Sequence, residues 1–228
     1  MSTLSALPDW LTTRVREDFL GVVAAPDYSC LGARSSLHTE GLRVELYGPM
    51  SSVETTASLA GDLAAFARGT APGSGFVAMV ALFAEPAPES EDEFEQRLWR
   101  QLTDLRTYDE RECPADVSSD PADPRYAFSF CGSPFFVIGM HPGSSRLARR
   151  VAWPALVFNP HRQFSALRDA DRFESFRAAI RKREIALQGT LNPNLADAGE
   201  ATEARQYSGR AAEPDWRCPF HHSADDGA

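Results

Sequence analysis

The feature that most constrains the fold is an uninterrupted apolar run over residues 76–84, bounded by Gly75 and Pro86. A run of this length between turn residues is typical of a strand that is buried on both faces. Two capping boxes, residues 51–54 and 90–93, lie before and after it, and each predicts the start of a helix with one apolar face. The sequence therefore predicts a buried strand between two helices.

The other periodic segments mix helix and strand. Apolar residues at helical spacing predict an opening helix over 7–20 and a later helix that Asp171 caps and that ends near Gly189. Short or alternating apolar runs predict strands, at 41–47, 126–130, 135–138 and 155–158. We therefore predict an α+β fold, a mixed sheet flanked by helices with a long C-terminal tail packed on the domain. One domain over 1–222 and a frayed C-terminus at 223–228 are expected.

Charge and hydropathy restrict the partners. The chain has 23 basic and 32 acidic residues, a net charge of −9, which disfavours nucleic acid as a partner. No apolar run approaches the roughly 20 residues of a bilayer span, and no export signal is visible. We expect no membrane contact, a cytoplasmic location and reduced thiols at the four cysteines.

Two histidines each follow a predicted strand. His141 comes directly after one strand, and His161 follows the next strand at Asn159-Pro160. Side chains at strand ends often line pockets, although each histidine could instead be a hydrogen-bonded turn residue. Arginines lie beside both histidines, and they would bind carboxylates or form surface ion pairs; they are Arg146, Arg149, Arg150, Arg162 and Arg168.

The tail contains two further candidate segments. Cys218 lies between Arg217 and Pro219, which would favour an extended geometry and a thiolate, although a packed, inert cysteine is the alternative. Residues 203–210 are rich in hydrogen-bonding groups without helix or strand periodicity, which suggests the lining of a polar pocket. Glu203 could pair with a cationic substrate group or form an exposed salt bridge.

Several ordered motifs resemble the YqcI/YcgG family, also called FPC/CPF-motif proteins. They are residues 135–150 (FFVIGMHPGSSRLARR), 158–168 (FNPHRQFSALR), 188–193 (QGTLNP), 203–210 (EARQYSGR) and the terminal Trp-Arg-Cys-Pro-Phe at 216–220. The N-terminal Phe-Pro-Cys motif of the family is replaced here by Tyr28-Ser29-Cys30, so that only its cysteine is retained. The resemblance covers most of the chain.

The resemblance implies heme b and an oxygenase. Some members of the family hydroxylate a nitrogen or carbon of arginine or a related amino acid in natural-product pathways, with O2 and an external electron donor such as a reductase. Three residues are candidate axial ligands of the heme iron, because imidazole or thiolate can hold it. We rank His161 first, His141 second and Cys218 third. Two tail residues, Glu203 and Tyr207, are expected to be catalytic. The expected cofactor-binding residues are Arg146, Arg149, Arg150, Phe158, Arg162 and Cys30.

Two other functions are compatible with the same residues. The chain could be a non-catalytic protein that binds heme or another small ligand. It could also be a cofactor-free enzyme that uses Cys30 and Cys218 as a thiol pair. The sequence leaves open a homodimer.

Overall fold

A computed structural model describes residues 8–70, 75–195 and 201–220 of the chain, so the expected frayed end at 223–228 lies outside the described residues. The helices are α1 (Asp9–Ala24), α2 (Leu31–His38), α3 (Val53–Gly69), α4 (Glu91–Arg106), α5 (Arg162–Asp169) and α6 (Phe173–Gln188). The strands are β1 (Leu42–Tyr47), β2 (Ala78–Phe83), β3 (Phe128–Phe130), β4 (Ser133–Met140) and β5 (Ala155–Pro160). Two 3-10 turns cover Leu147–Arg149 and Glu203–Gln206.

The strands form one mixed sheet in the order β1-β2-β5-β4-β3. β1 and β2 are parallel, because α3 carries the chain back between them, and the other pairs are antiparallel. Every residue of β2 is buried, which confirms the buried strand predicted from the apolar run. The predicted mixed α+β architecture is likewise confirmed.

Helices cover both faces of the sheet, and alternate residues of β2 divide between two apolar clusters. Met79 and Ala81 face the cluster that contains α3 and α4, with Leu59 and Leu98 fully buried there. Val80 and its alternate neighbours face a second cluster with α1. None of the helices in the described ranges combines the length and apolar character that a bilayer span needs.

Three local predictions are wrong by one or two residues. Ser52, not Ser51, caps α3, since its hydroxyl accepts the Thr55 N–H at 3.2 Å. Asp171 has a φ of +54°, and Arg172 is the residue that precedes the first turn of α6. The turn between β3 and β4 is residues 131–132, both with positive φ, so that β4 already begins at Ser133.

The segment 201–220 contacts the sheet where β4 extends beyond β3. Gly139 N–H donates to the carbonyl of Tyr207 at 2.7 Å, in the place that a neighbouring strand would take. Arg210 forms an ion pair with Glu95 of α4 at 2.8 Å. The ring of Tyr207 stacks on Trp99 with 5.4 Å between the centroids.

Candidate functional site

A cavity of about 250 Å³ lies on the α1 face of the sheet. Its lining combines residues of β2, β4 and β5 with residues of α1, α2 and α6. Its lining is mainly apolar and includes five phenylalanines, Phe19, Phe76, Phe136, Phe164 and Phe176. An apolar concave site with a few polar groups is the usual form of a small-molecule site.

Helix α6 borders this cavity with side chains that are only partly buried. α6 contributes Phe176, Ile180 and Glu184 to the lining, yet none of its residues is fully buried. Its best-defined ring contact is the stack of Phe176 on Phe76, with 4.9 Å between the centroids. A helix with so little buried surface can be displaced at lower cost than α3 or α4.

Cys30 lines the cavity at the N-terminus of α2. Its Sγ accepts the Ala33 N–H at 3.4 Å. Burial raises the pKa of the thiol, while the N–H groups of Ala33 and Gly32 and the positive charge of Arg149 act in the opposite direction. Cys30 is the cysteine that borders the cavity, and backbone donors at a helix N-terminus are the groups that stabilise a thiolate.

Arg149 also borders the cavity, and it is the last residue of the first 3-10 turn. Its guanidinium donates to the carbonyls of Gly139, Tyr207 and Gln206 at 3.3, 2.9 and 2.7 Å. Among the described residues no carboxylate forms an ion pair with it. Burial lowers the pKa of Arg149 to about 10, so the side chain remains charged at neutral pH.

Arg146 also borders the cavity, but its charge is compensated. Its Nη2 forms an ion pair with Glu184 at 2.5 Å, and it donates to Thr190 Oγ1 at 3.2 Å and to the Leu191 carbonyl at 3.3 Å. These bonds attach α6 and the segment after it to the first 3-10 turn. Arg146 is therefore a structural link at the cavity edge, and among the described lining residues Arg149 is the cation without a counter-charge.

The expected tail residues Glu203 and Tyr207 lie together with His161 beside the free edge of β4. Tyr207 donates its phenol hydrogen to Glu203 at 2.5 Å, and His161 Nε2 contacts the same carboxylate at 3.1 Å. The Tyr207 oxygen also accepts the Phe128 N–H at 3.2 Å. This group does not line the cavity, although Phe136, which does, contacts the Tyr207 ring edge to face.

The other expected iron ligands lie away from the cavity. His141 is 1% exposed and stacks on Phe94 at 4.3 Å, and neither ring nitrogen has a hydrogen-bond partner among the described residues. Burial lowers the pKa of His141. Cys218 accepts the Phe220 N–H at 3.4 Å in the cluster on the α4 side, and burial raises the pKa of its thiol to about 12.

The remaining expected cofactor-binding residues also lie outside the cavity lining. Phe158 is fully buried on the α3 and α4 side of the sheet. Arg150 donates to the Ser144 carbonyl at 2.6 Å, and Arg162 lies at the start of α5. Of the residues expected to bind a cofactor, the structure thus brings Cys30, Arg146 and Arg149 together.

Most of the cavity lining was not expected from the sequence, and Tyr28 and Ser29 are two of these residues. Both are buried, at 8% and 4% exposure. The signal that could have found them is the departure from the Phe-Pro-Cys motif. Tyr28 and Ser29 place two hydroxyl groups where the motif has Phe and Pro, directly before the cavity residue Cys30. Among the described residues, no group of three or more His, Cys, Asp or Glu side chains could hold a bare metal ion.

Comparisons with known proteins agree on one family. The profile of the YqcI/YcgG family matches residues 19–221. The chain is 28% identical to a Bacillus subtilis protein named as the uncharacterized protein YcgG, over 95% of this chain and 90% of that protein. It is 26% identical to the Bacillus subtilis uncharacterized protein YqcI, over 85% of this chain and 80% of that one. No solved structure matches the chain significantly.

Proposed function

Because this chain belongs to the YqcI/YcgG family, we propose that it is a heme-dependent monooxygenase with its heme in the cavity under α6. The substrate of the proposed reaction is arginine or a related amino acid, hydroxylated on nitrogen or carbon in a natural-product pathway in the cytoplasm. The observation that carries the proposal is the Cys30 thiol, which meets an apolar cavity at a helix N-terminus. A reductase or another external donor would supply electrons.

Three features of the cavity support heme. Its phenylalanine-rich walls suit a flat apolar macrocycle. Cys30 Sγ already accepts a backbone N–H, and hydrogen bonds to the sulfur are one means by which proteins tune a thiolate that ligates iron. Arg149 provides a cation without a counter-charge, which suits a propionate. We therefore favour Cys30 over His161, His141 and Cys218, which do not border this cavity.

The volume requires one structural change. At about 250 Å³ the cavity lies just below the roughly 300–1,000 Å³ of typical small-molecule sites, so a macrocycle requires it to widen. α6 is the element that can move, since it has no fully buried residue and its ion pair with Arg146 is at the cavity edge. We expect heme binding to shift α6 outward and to change its amide exchange more than that of α3.

Each residue has a defined part in the proposal. Cys30 would hold the iron, Arg149 would bind a carboxylate, and the phenylalanines would exclude water from the cavity. When bound there, heme would supply O2 activation, which a thiolate ligand favours. Glu203 and Tyr207 act indirectly, because their hydrogen-bonded group positions the tail segment that carries the Gln206 and Tyr207 carbonyls to Arg149.

The test combines a spectrum with an activity. Purified protein is titrated with ferric heme and then supplied with a reductase, O2 and arginine or related amino acids, and products are identified by mass spectrometry. A Soret band with one equivalent of heme, and a product heavier by one oxygen atom, support the proposal. If no Soret band forms, the proposal is wrong.

The alternative function is a binding protein that holds heme or another small ligand without catalysis. One observation favours it: Glu184 is the one carboxylate among the described lining residues, and Arg146 already pairs with it, so this part of the chain offers the ligand no unpaired carboxylate and no imidazole. Under this alternative heme binds, but O2 with reductant leaves every amino acid unchanged.

Size-exclusion chromatography with and without heme tests whether the chain forms the homodimer that its sequence leaves open.

A further inference from the structure

We propose that the cavity contains a carboxylate subsite, formed by Arg149 with the hydroxyls of Tyr28 and Ser29, that selects amphipathic ligands with one anionic end. The carboxylate could come from a heme propionate or from a free organic acid, and the experiment below separates these sources. The subsite shares the cavity with the proposed function, but it does not depend on the presence of heme.

Arg149 provides the positive charge of the carboxylate subsite. Three of its five N–H donors are used by backbone carbonyls, which carry no net charge, and the described residues offer no acceptor for the other two. The nearby Arg146 is neutralised by Glu184. The described part of the cavity wall therefore carries one uncompensated positive charge. Arg149 is partly buried and is bonded only to neutral carbonyls, so a bound carboxylate is the ligand group that would compensate its charge most directly.

The backbone around Arg149 is shaped for that position. Gly209 has a φ of +86°, and a Cβ there would lie 2.6 Å from Arg149 Cδ and 3.1 Å from its Nε. The tail can therefore pass over the guanidinium only because this residue has no side chain. The carbonyls of residues 206 and 207 then fix the plane of the guanidinium.

The hydroxyls of Tyr28 and Ser29 provide the neutral hydrogen-bond donors of the subsite. Tyr28 and Ser29 are buried, they line the cavity, and neither side chain has a hydrogen-bond partner among the described residues. Neither oxygen is among the fully enclosed polar atoms that lack a partner, so both hydroxyls are accessible and free to donate to a ligand in the cavity. Arg183 of α6 holds the Tyr28 carbonyl at 2.9 Å, so the backbone that presents these hydroxyls is fixed. Burial raises the pKa of Tyr28 above its usual value, which keeps its hydrogen available for donation.

The rest of the cavity determines the chemical character of the other end of the ligand. Beyond the polar end, Val80, Ile138 and Val157 of the sheet face Phe19 and Phe176 of the helices. These side chains offer no hydrogen bonds. Four polar side chains of the lining are already bonded to backbone groups: Ser36, Asn159, Gln163 and Asn192. The ligand class is therefore a monocarboxylate, or one carboxylate of a larger molecule, attached to an apolar or aromatic body.

The experiment uses 3-phenylpropionate and its neutral analogue 3-phenylpropionamide, titrated by calorimetry into the purified full chain without added heme. We expect the carboxylate to bind about tenfold or more tightly than the amide, since a charge-assisted hydrogen bond is about twice as strong as a neutral one. Tyr28→Phe and Ser29→Ala should each weaken carboxylate binding several-fold and leave amide binding nearly unchanged. Equal affinities for acid and amide, or no binding of either, would overturn the proposal.

Variants at the cation complete the test. Arg149→Met should abolish the preference for the acid, whereas Arg177→Met, at an exposed ion pair of α6, should keep it. If Arg149→Met does not fold, Tyr28→Phe, which removes a single oxygen atom, still decides the proposal. A Tyr28→Phe variant with the wild-type preference and affinity would contradict it.

A competition separates the two sources of carboxylate. The same titration is repeated after loading with ferric heme and, separately, with its dimethyl ester. If a propionate occupies the subsite, heme blocks 3-phenylpropionate and the ester does not; if a free acid occupies it, binding persists with both. Either result supports a carboxylate subsite. A chain that binds neither heme nor its ester but still prefers the acid refutes the proposed oxygenase and leaves the subsite intact.

Discussion

Removing the hydroxyl of Tyr207 should destabilise the fold far more than removing the hydroxyl of Tyr126. Both rings are at most 2% exposed and lie in the same aromatic cluster, with 6.1 Å between their centroids. The Tyr207 oxygen contacts Glu203 at 2.5 Å, the Phe128 N–H at 3.2 Å and the Phe135 carbonyl at 3.2 Å. The Tyr126 hydroxyl has no hydrogen-bond partner among the described residues.

The magnitude follows from these contacts. In the β3–β4 register Phe128 faces Phe135, so the Tyr207 oxygen lies between the N–H and carbonyl that would otherwise pair with each other. Tyr207→Phe loses a hydrogen bond to a carboxylate, at about 1.5–3 kcal/mol, and leaves a buried N–H that only partly recovers a partner, which adds about 1 kcal/mol. We therefore expect Tyr207→Phe to lower the free energy of unfolding by about 2–4 kcal/mol. Tyr126→Phe should change it by less than about 0.5 kcal/mol, or raise it slightly.

The measurement is urea unfolding of both variants and the wild type, followed by circular dichroism, with the midpoint and slope compared in each case. A third variant, Glu203→Gln, keeps a hydrogen-bonding side chain but removes the charge, and it should lie between the other two. Equal midpoints for Tyr207→Phe and Tyr126→Phe would refute the reasoning, because the two changes differ only in the hydrogen bonds that they remove.

Four further outcomes are expected. Gly209→Ala should lower the free energy of unfolding by about 2 kcal/mol or more and weaken carboxylate binding. The control Gly189→Ala, with a similar positive φ and open space at its Cβ, should lower it by only about 1–2 kcal/mol and leave binding unchanged. Equal effects of the two variants would contradict the contact with Arg149. Since burial lowers the pKa of His141 in the fold, the unfolded chain binds more protons below its pKa of about 6.5, and stability should fall as the pH decreases from there. His141→Phe should flatten that part of the stability–pH curve, and an unchanged slope would show that other groups cause it. Ser90→Ala should lower the free energy of unfolding by about 1 kcal/mol, because the Ser90 hydroxyl accepts the Glu93 N–H at 3.1 Å, and an unchanged urea midpoint would argue against that cap. Hydrogen exchange with and without heme should change most in α6, and unchanged exchange there would argue against its outward shift.

Much of the fold could be predicted from local sequence patterns. The apolar run around β2 and the cap at Ser90 are determined by neighbours within one element, and the structure has both where they were expected. Gly189 ends α6 in the left-handed conformation, as its position after the periodic segment indicated. By contrast, α2 and α5 are only eight residues long, too short for apolar periodicity to be recognised.

The candidate site was only partly predictable, because it is made by distant segments. Cys30 and Arg149 are separated by most of the sheet in sequence and meet only because α2 and the first 3-10 turn lie at the same cavity. His141 and His161 were expected to line a pocket because they follow β4 and β5 in the chain. Strand ends do not determine which face a side chain takes, and these two lie beside Phe94 and Glu203 instead of in the cavity.

The thiol ligand is the central claim, and the absorption spectrum of the heme-loaded Cys30→Ala variant tests it most directly. Cys113→Ala is the matched control, since Cys113 is also partly buried but contacts Ser129 away from the cavity. We predict that wild type and Cys113→Ala show the long-wavelength ferrous–carbon monoxide band of thiolate ligation, and that Cys30→Ala loses it. If Cys30→Ala keeps the wild-type spectrum while His161→Ala, His141→Ala or Cys218→Ala loses it, the assignment of the iron to Cys30 is contradicted.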